Sequence, residues 1–185
     1  MHFLAKIYWK ERGKLIAGKI QPLIKENESV LDIGCGTGDV ADNLNITCVC
    51  LTDIQNMENV NLCFHLIEEG IIPFKDKAFD VGLLISTMHH AKDKEALLKE
   101  SMRVCKRLII QEEYYESWPE RQWVRFYTNM LNIVLGNFNY YSWCHVKTEK
   151  YWEDMFKDLG YKIMFSQKGM AGIPVLKNKI WVVRK

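Results

Sequence analysis

Asp32, Gly34, Gly36 and Gly38, in the run from Val30 to Asp39, place an acid and three glycines at alternate positions behind three apolar residues. Glycines spaced in this way let the backbone adopt positive φ and let a ligand approach it. The N–H groups that open the next helix then point at that ligand. The spacing predicts a cofactor turn at the end of a buried strand; on the glycines alone, a ligand-free strand-to-helix turn is the other reading. A dinucleotide turn requires G-x-G-x-x-G, and its sixth position here is Asp39. A phosphate-gripping loop requires Gly-Lys-Ser/Thr at its end, and none follows. Further along, His89 and His90 offer imidazoles that titrate near neutral pH and suit general base work, with packing at a turn as the alternative. Asp53 ends an apolar run 21 residues after Asp32.

These groups need elements to position them. Residues 3–27 read as a helix with Ile16, Ile20, Leu23 and Ile24 on one stripe, kinked or restarted at Pro22. Strands follow at residues 29–33, 46–51 and 62–66. Residues 81–85 are continuously apolar, as a central parallel strand buried on both faces would be. A helix over 94–106 presents Ala96, Leu97, Ser101, Val104 and Cys105 on one face, and a fifth strand covers 107–112. Ser117-x-x-Glu120 predicts a capped helix whose stripe is Trp123, Phe126, Tyr127, Met130, Leu131 and Val134, ending at Gly136-Asn137. A helix over 148–160 and two strands, 161–166 and 179–183, close the chain.

The 185 residues suit one domain, and 48% apolar with 26% charged residues is an ordinary globular balance. No apolar run approaches a membrane span, no signal-peptide profile opens the chain, and a cytosolic location is expected. The six cysteines form no CxxC pair and read as reduced core thiols, with no metal site expected. A net charge of +2 argues against a dedicated nucleic-acid binder.

The acid-x-Gly-x-Gly-x-Gly run resembles the first motif of class I S-adenosylmethionine-dependent methyltransferases, of the small-molecule, type 11-like kind. Asp32, Gly34, Gly36 and Gly38 fill its fixed positions, with Cys35 between them. The resemblance continues through Glu68 to Asp80, similar to the family's acid-x-x-x-Leu-Pro-Phe-x-Asp-x-x-Phe-Asp segment, the Met88-His89-His90 turn and the Leu159-Gly160-Tyr161 helix end. It implies an α/β Rossmann-like three-layer sandwich, with a mostly parallel seven-stranded sheet and an antiparallel last strand. It also implies S-adenosylmethionine as cofactor: Asp53 on the ribose hydroxyls, Ile54 against the adenine, Glu68 or Glu69 on the adenine amino group, and Ile85 and Ser86 beside the methionine moiety. Arg12 is read as a solvated surface residue, with the cofactor carboxylate as its alternative partner.

His89, or His145, is the candidate base. Glu112, Glu113, Tyr114 and Tyr115 reach the same sheet edge as His89. Glu113, Tyr115, Trp118 and Tyr141 are taken as substrate-side residues. Ten aromatics fall within residues 114–143, where the family places a substrate lid. The segment at about 114–146 is therefore read as lid plus core, with core alone and oligomer contact as the other readings. The resemblance implies methyl transfer to a small-molecule acceptor, apolar or aromatic, by in-line displacement, in a monomer or homodimer. RNA or protein methylation and a non-catalytic cofactor-binding scaffold are the alternatives. The Gly-Thr-Gly-Asp-Val-Ala run is also similar to quinone-ring methyltransferases; the likeness stops there, so a quinone is a minor option.

Overall fold

The computed structural model describes residues 3–56, 60–68, 70–134, 146–169 and 176–185. Helix α1 (Phe3–Ile20) runs into a single 3-10 turn (Gln21–Leu23), with Pro22 inside it. Strand β1 (Val30–Ile33), the short helix α2 (Asp39–Asp42), β2 (Val49–Asp53), β3 (Cys63–Leu66) and β4 (Phe79–Ile85) follow. The rest is α3 (Lys94–Val104), β5 (Cys105–Glu113), α4 (Trp118–Val134), α5 (Glu149–Asp158), β6 (Lys162–Gly169) and β7 (Asn178–Arg184).

The seven strands form one sheet in the order β3-β2-β1-β4-β5-β7-β6. The first five are parallel, and β7 inserts antiparallel between β5 and β6. The order of strand addition reverses at β1, which lies between β2 and β4, and ligands of open α/β sheets bind beyond the carboxyl ends of strands at such a point. The α/β sandwich expected from the sequence is the fold observed.

Period-2 alternation divides the apolar residues between the two faces. Leu31, Ile33, Leu108 and Ile110 face Trp152 and Phe156 of α5 and Leu98 and Met102 of α3. Val30, Val81, Leu83 and Ile109 face Ile16, Ala17 and Ile20 of α1. Helix α1 comes close to the glycine turn because Gly13 has no side chain: a Cβ there would sit 2.6 Å from the Asp39 Cβ. Asp93 caps α3 by accepting from the Ala96 N–H at 2.9 Å, and Thr148 caps α5 by accepting from the Tyr151 N–H at 3.2 Å.

Several local expectations are corrected. Helix α3 stops at Val104, because Cys105 is already extended, and its buried face is Leu98, Ser101, Met102 and Val104 rather than one containing Ala96. The second strand begins at Val49, three residues later than expected, and includes Asp53. Among the described cysteines only Cys50 and Cys105 are buried, while Cys48 and Cys63 are exposed; β3 is an edge strand, so its side chains lack a covering layer. Among the described side chains of α4 only Val124 is buried. Trp123, Phe126, Met130 and Val134 of the predicted stripe are exposed, so core alone does not account for it. Among the described residues no helix is long and apolar enough to cross a membrane.

Candidate active site

Two groups of residues meet at the carboxyl ends of β1, β2, β4 and β5. The first is the glycine turn. Gly34, Gly36 and Gly38 all take positive φ, at 71°, 55° and 78°. Gly34 and Cys35 donate their N–H groups to the Thr52 carbonyl of β2 at 2.8 and 3.1 Å, which fastens the turn to the neighbouring strand. Gly34 is pressed against Thr87: a Cβ there would lie 2.3 Å from the threonine methyl. Gly36 instead faces open space, with nothing within 4 Å of where its Cβ would stand. The Gly36 N–H donates to Asp53 Oδ2 at 2.8 Å, and Asp53 Oδ1 accepts from the Gln55 N–H at 3.1 Å. Asp32 is buried beneath the turn; burial first, and the Asp53 charge second, push its carboxyl up to about 7.

The second group is a buried charged network. Arg12 reaches from α1 to the Ser86 hydroxyl at 2.6 Å and to Glu113 Oε1 at 3.3 Å. Ser86 lies 2.9 Å from Glu113 Oε1 and 3.2 Å from Gln111 Oε1, and holds φ of 51°, unusual for a residue with a side chain. His89 Nδ1 is 2.6 Å from Glu112 Oε2, and the other oxygen of Glu112 accepts the Met88 N–H at 2.7 Å. Glu113 Oε2 lies 3.8 Å from the same imidazole nitrogen.

Two carboxylates thus face one guanidinium and one imidazole, a set that is neutral when His89 is protonated. Burial alone would lower the His89 pKa, but the Glu112 and Glu113 charges outweigh it and raise it. Burial alone would raise Glu113; the His89 and Arg12 charges and the Ser86 hydroxyl hold it below the usual carboxylate range. Three buried donors beside these groups have no partner among the described residues: Arg12 Nε, Tyr8 Oη and Gln111 Nε2. Tyr8 is pushed up to about 12, mainly by burial.

The structure brings Gly34, Cys35, Gly36, Gly38, Asp32, Asp53, Ile85, Ser86, His89 and Glu113 to one end of the sheet. Ile54 follows Asp53 and is 53% exposed. Glu68 follows β3, tied back through the Ile67 N–H to the Asp53 carbonyl at 2.9 Å. Tyr115 packs against a small cluster of Val124, Val146 and Leu176. Trp118 is 70% exposed on the first turn of α4. Glu69, Tyr141 and His145 lie outside the described residues. Arg12 is corrected: it is buried, not solvated. The sequence reading did not join Glu112 to His89, Arg12 to Glu113, or Tyr8 and Gln111 to the site. The adjacent acids at the end of an apolar strand were the available signal, because such acids are buried with partners or not at all.

The fold and this end of the sheet define a class I methyltransferase architecture. The chain belongs to the methyltransferase domain family, whose pattern matches residues 8–164. Its cofactor is S-adenosylmethionine. Among characterised proteins it is 31% identical over 98 residues to norajmaline N-methyltransferase of Rauvolfia serpentina, covering 44% of this chain and 33% of that protein. It is 27% identical over 149 residues to demethylmenaquinone methyltransferase of Tropheryma whipplei, covering 73% of this chain and 59% of that one. The matched regions thus span from a third to about three fifths of those relatives. Among solved structures, a SAM-dependent methyltransferase of Methanosarcina mazei superposes with a TM-score of 0.68 at 17% identity, over 90% of this chain and 96% of the other.

Proposed function

We propose that this protein transfers a methyl group from S-adenosylmethionine to a small-molecule acceptor, apolar or aromatic, by in-line displacement. The observation that carries the reading is the Asp53 carboxylate held against the Gly36 N–H at a turn that opens onto empty space. Asp53 holds the ribose: each of its oxygens accepts one backbone N–H and keeps a lone pair for a hydroxyl. Ile54 covers the adenine and Glu68 accepts from its amino group. The unpartnered donors Arg12 Nε, Tyr8 Oη and Gln111 Nε2 suit a carboxylate, such as the one the cofactor carries.

When bound, the cofactor supplies a methyl carbon that its sulfonium has already activated. The remaining task is alignment, which can contribute roughly 7–11 kcal/mol. An acceptor that must lose a proton gives it to Nε2 of His89, because Nδ1 is engaged by Glu112. The raised His89 pKa makes the neutral, basic form scarce at low pH. The rate then rises with pH through a midpoint above the ordinary value of 6.5, and His89→Gln abolishes that limb. An unchanged profile removes His89 from proton transfer. The two characterised relatives, named for a nitrogen of norajmaline and for demethylmenaquinone, support a small-molecule acceptor and leave the acceptor atom open.

One observation favours the scaffold as a second reading. Trp118, Trp123, Phe126, Met130, Ile133 and Val134 expose an apolar face on α4 that suits a partner as well as a substrate. Calorimetric titration with S-adenosylhomocysteine, with NADH as control, tests the cofactor assignment first. The expected result is one site whose affinity falls about tenfold or more, ~1.4 kcal/mol, in Asp53→Ala. Equal affinity in that variant refutes the ribose role. If the protein binds the cofactor but methylates no acceptor in a broad screen, the scaffold reading takes precedence.

A further inference from the structure

At the opposite side of β2 from the charged network, the sheet edge gathers three soft donors. Strands β2 and β3 pair in parallel with Cys50 directly across from Cys63, and the two sulfurs lie 3.2 Å apart. His65, two residues along β3 and so on the same face, brings Nε2 to 3.4 Å from Cys63 Sγ. All three donor atoms fall within 4.8 Å of one another. Both cysteines are free thiols.

We propose that Cys50, Cys63 and His65 bind a thiophilic metal ion of the zinc class. Bond lengths of about 2.3 Å to sulfur and about 2.0–2.1 Å to nitrogen put the corners of a tetrahedral site roughly 3.5–3.8 Å apart. The sulfur–nitrogen separation of 3.4 Å already nearly matches such a corner spacing, the sulfurs at 3.2 Å need to part by about half an ångström, and the third pair lies within 4.8 Å, so small side-chain rotations close the site. Two sulfurs and one imidazole select soft or borderline ions over magnesium or calcium. The His65 ring is oriented by edge-on packing against Phe74, with centroids 5.2 Å apart. Cys50 is buried, whereas Cys63 and His65 are exposed, so an ion enters from solvent and the fourth corner is left to water. On binding, the two thiols release their protons to solvent and coordinate as thiolates.

The ion clips an edge strand to the strand that ends in Asp53. Leu66, next to His65, is the register partner of Asp53. Metal occupancy therefore stiffens the wall of the glycine turn opposite to Arg12. The assignment does not depend on the methyl acceptor or on turnover.

The test is titration of the reduced, metal-free protein with Zn2+ against a chromophoric chelator, with Co2+ as a spectroscopic reporter. The expected result is one equivalent bound, with thiolate-to-cobalt charge-transfer absorption. Cys63→Ser and His65→Ala should each lower the affinity roughly tenfold or more. Because both residues are exposed, both variants should keep the wild-type circular dichroism spectrum. Zinc binding that both variants retain, or cobalt absorption without a thiolate band, overturns the assignment. So does a Cys50–Cys63 disulfide, seen by mass spectrometry as the loss of two hydrogens, in a protein that binds no zinc when reduced.

Discussion

Replacing Arg12 by methionine keeps the apolar stem of the side chain and removes its charge from a buried network. In the wild type the guanidinium lies 3.3 Å from Glu113 Oε1, and the side chains are 10% and 8% exposed. Removing one partner of a buried ion pair costs about 3–5 kcal/mol, because the other is left charged without compensation. Two features of the site place Arg12→Met near the lower end. The His89 imidazole, 3.8 Å from Glu113 Oε2, still supplies positive charge, and Glu113 can escape by taking a proton. The penalty should accordingly shrink as pH falls: without Arg12 one of the charges that hold the Glu113 pKa down is gone, its pKa rises, and protonation relieves the strain. The second variant, Arg12→Met/Glu113→Gln, removes both charges and leaves the His89–Glu112 pair in place. It should recover much of the loss, giving a coupling well outside additivity error. Urea unfolding followed by circular dichroism at several pH values measures the wild type, both variants and Glu113→Gln alone, which completes the cycle, provided that the dependence on urea concentration stays constant. If Arg12→Met costs under about 1 kcal/mol at neutral pH, as an exposed pair would, the buried-network argument is refuted and Arg12 is a solvated residue after all.

Two further outcomes follow from the same end of the sheet. Gly34→Ala should destabilise by about 1–2 kcal/mol for left-handed backbone and roughly 1–3 kcal/mol more for overpacking against Thr87. In a Thr87→Ala background the second part should disappear; equal costs in the two backgrounds would disprove the contact. Glu112→Gln should lower the His89 pKa, read by NMR titration of the imidazole, because the strongest influence raising it is gone. A raised histidine contributes stability that is complete below its unfolded value of 6.5 and lost as pH rises through the folded one. The alkaline loss of stability in the wild type should therefore diminish in the variant, and an unaltered His89 titration would sever the pair.

What could be read from the sequence follows from which interactions are local. The turn from Asp32 to Gly38 was legible because glycine identity encodes backbone conformation directly, and all three glycines take the left-handed angles their spacing predicted. The sheet was legible because β4 is buried on both faces, which leaves a continuous apolar run. The stripe of α4 was legible as a stripe, but periodicity specifies that a helix has two sides and not what covers either one. Trp123, Phe126 and Met130 lie at the predicted spacing and face outward. Cysteine is among the most buried residue types, yet Cys63 is exposed because β3 falls at the sheet edge, a position that only the strand order reveals.

Arg12 shows the limit most sharply. The Trp9 ring, one helical turn away, lies 5.6 Å from its guanidinium carbon, but the charge that lets it be buried belongs to Glu113, 101 residues away in the chain. Glu113 is buried in turn only because β5 ends where α1 crosses the sheet, beside Ser86 at the tip of β4. Each member of this network, read alone, is a solvated charge or a loop hydroxyl, and the burial of each is intelligible only when the others are present. A site assembled from mutually dependent charges therefore shows in local sequence as separate candidates and not as a network, while being among the costliest parts of the fold to disturb. Conversion of one member should expose that dependence more clearly than any change in the glycine turn, where each residue acts through its own backbone.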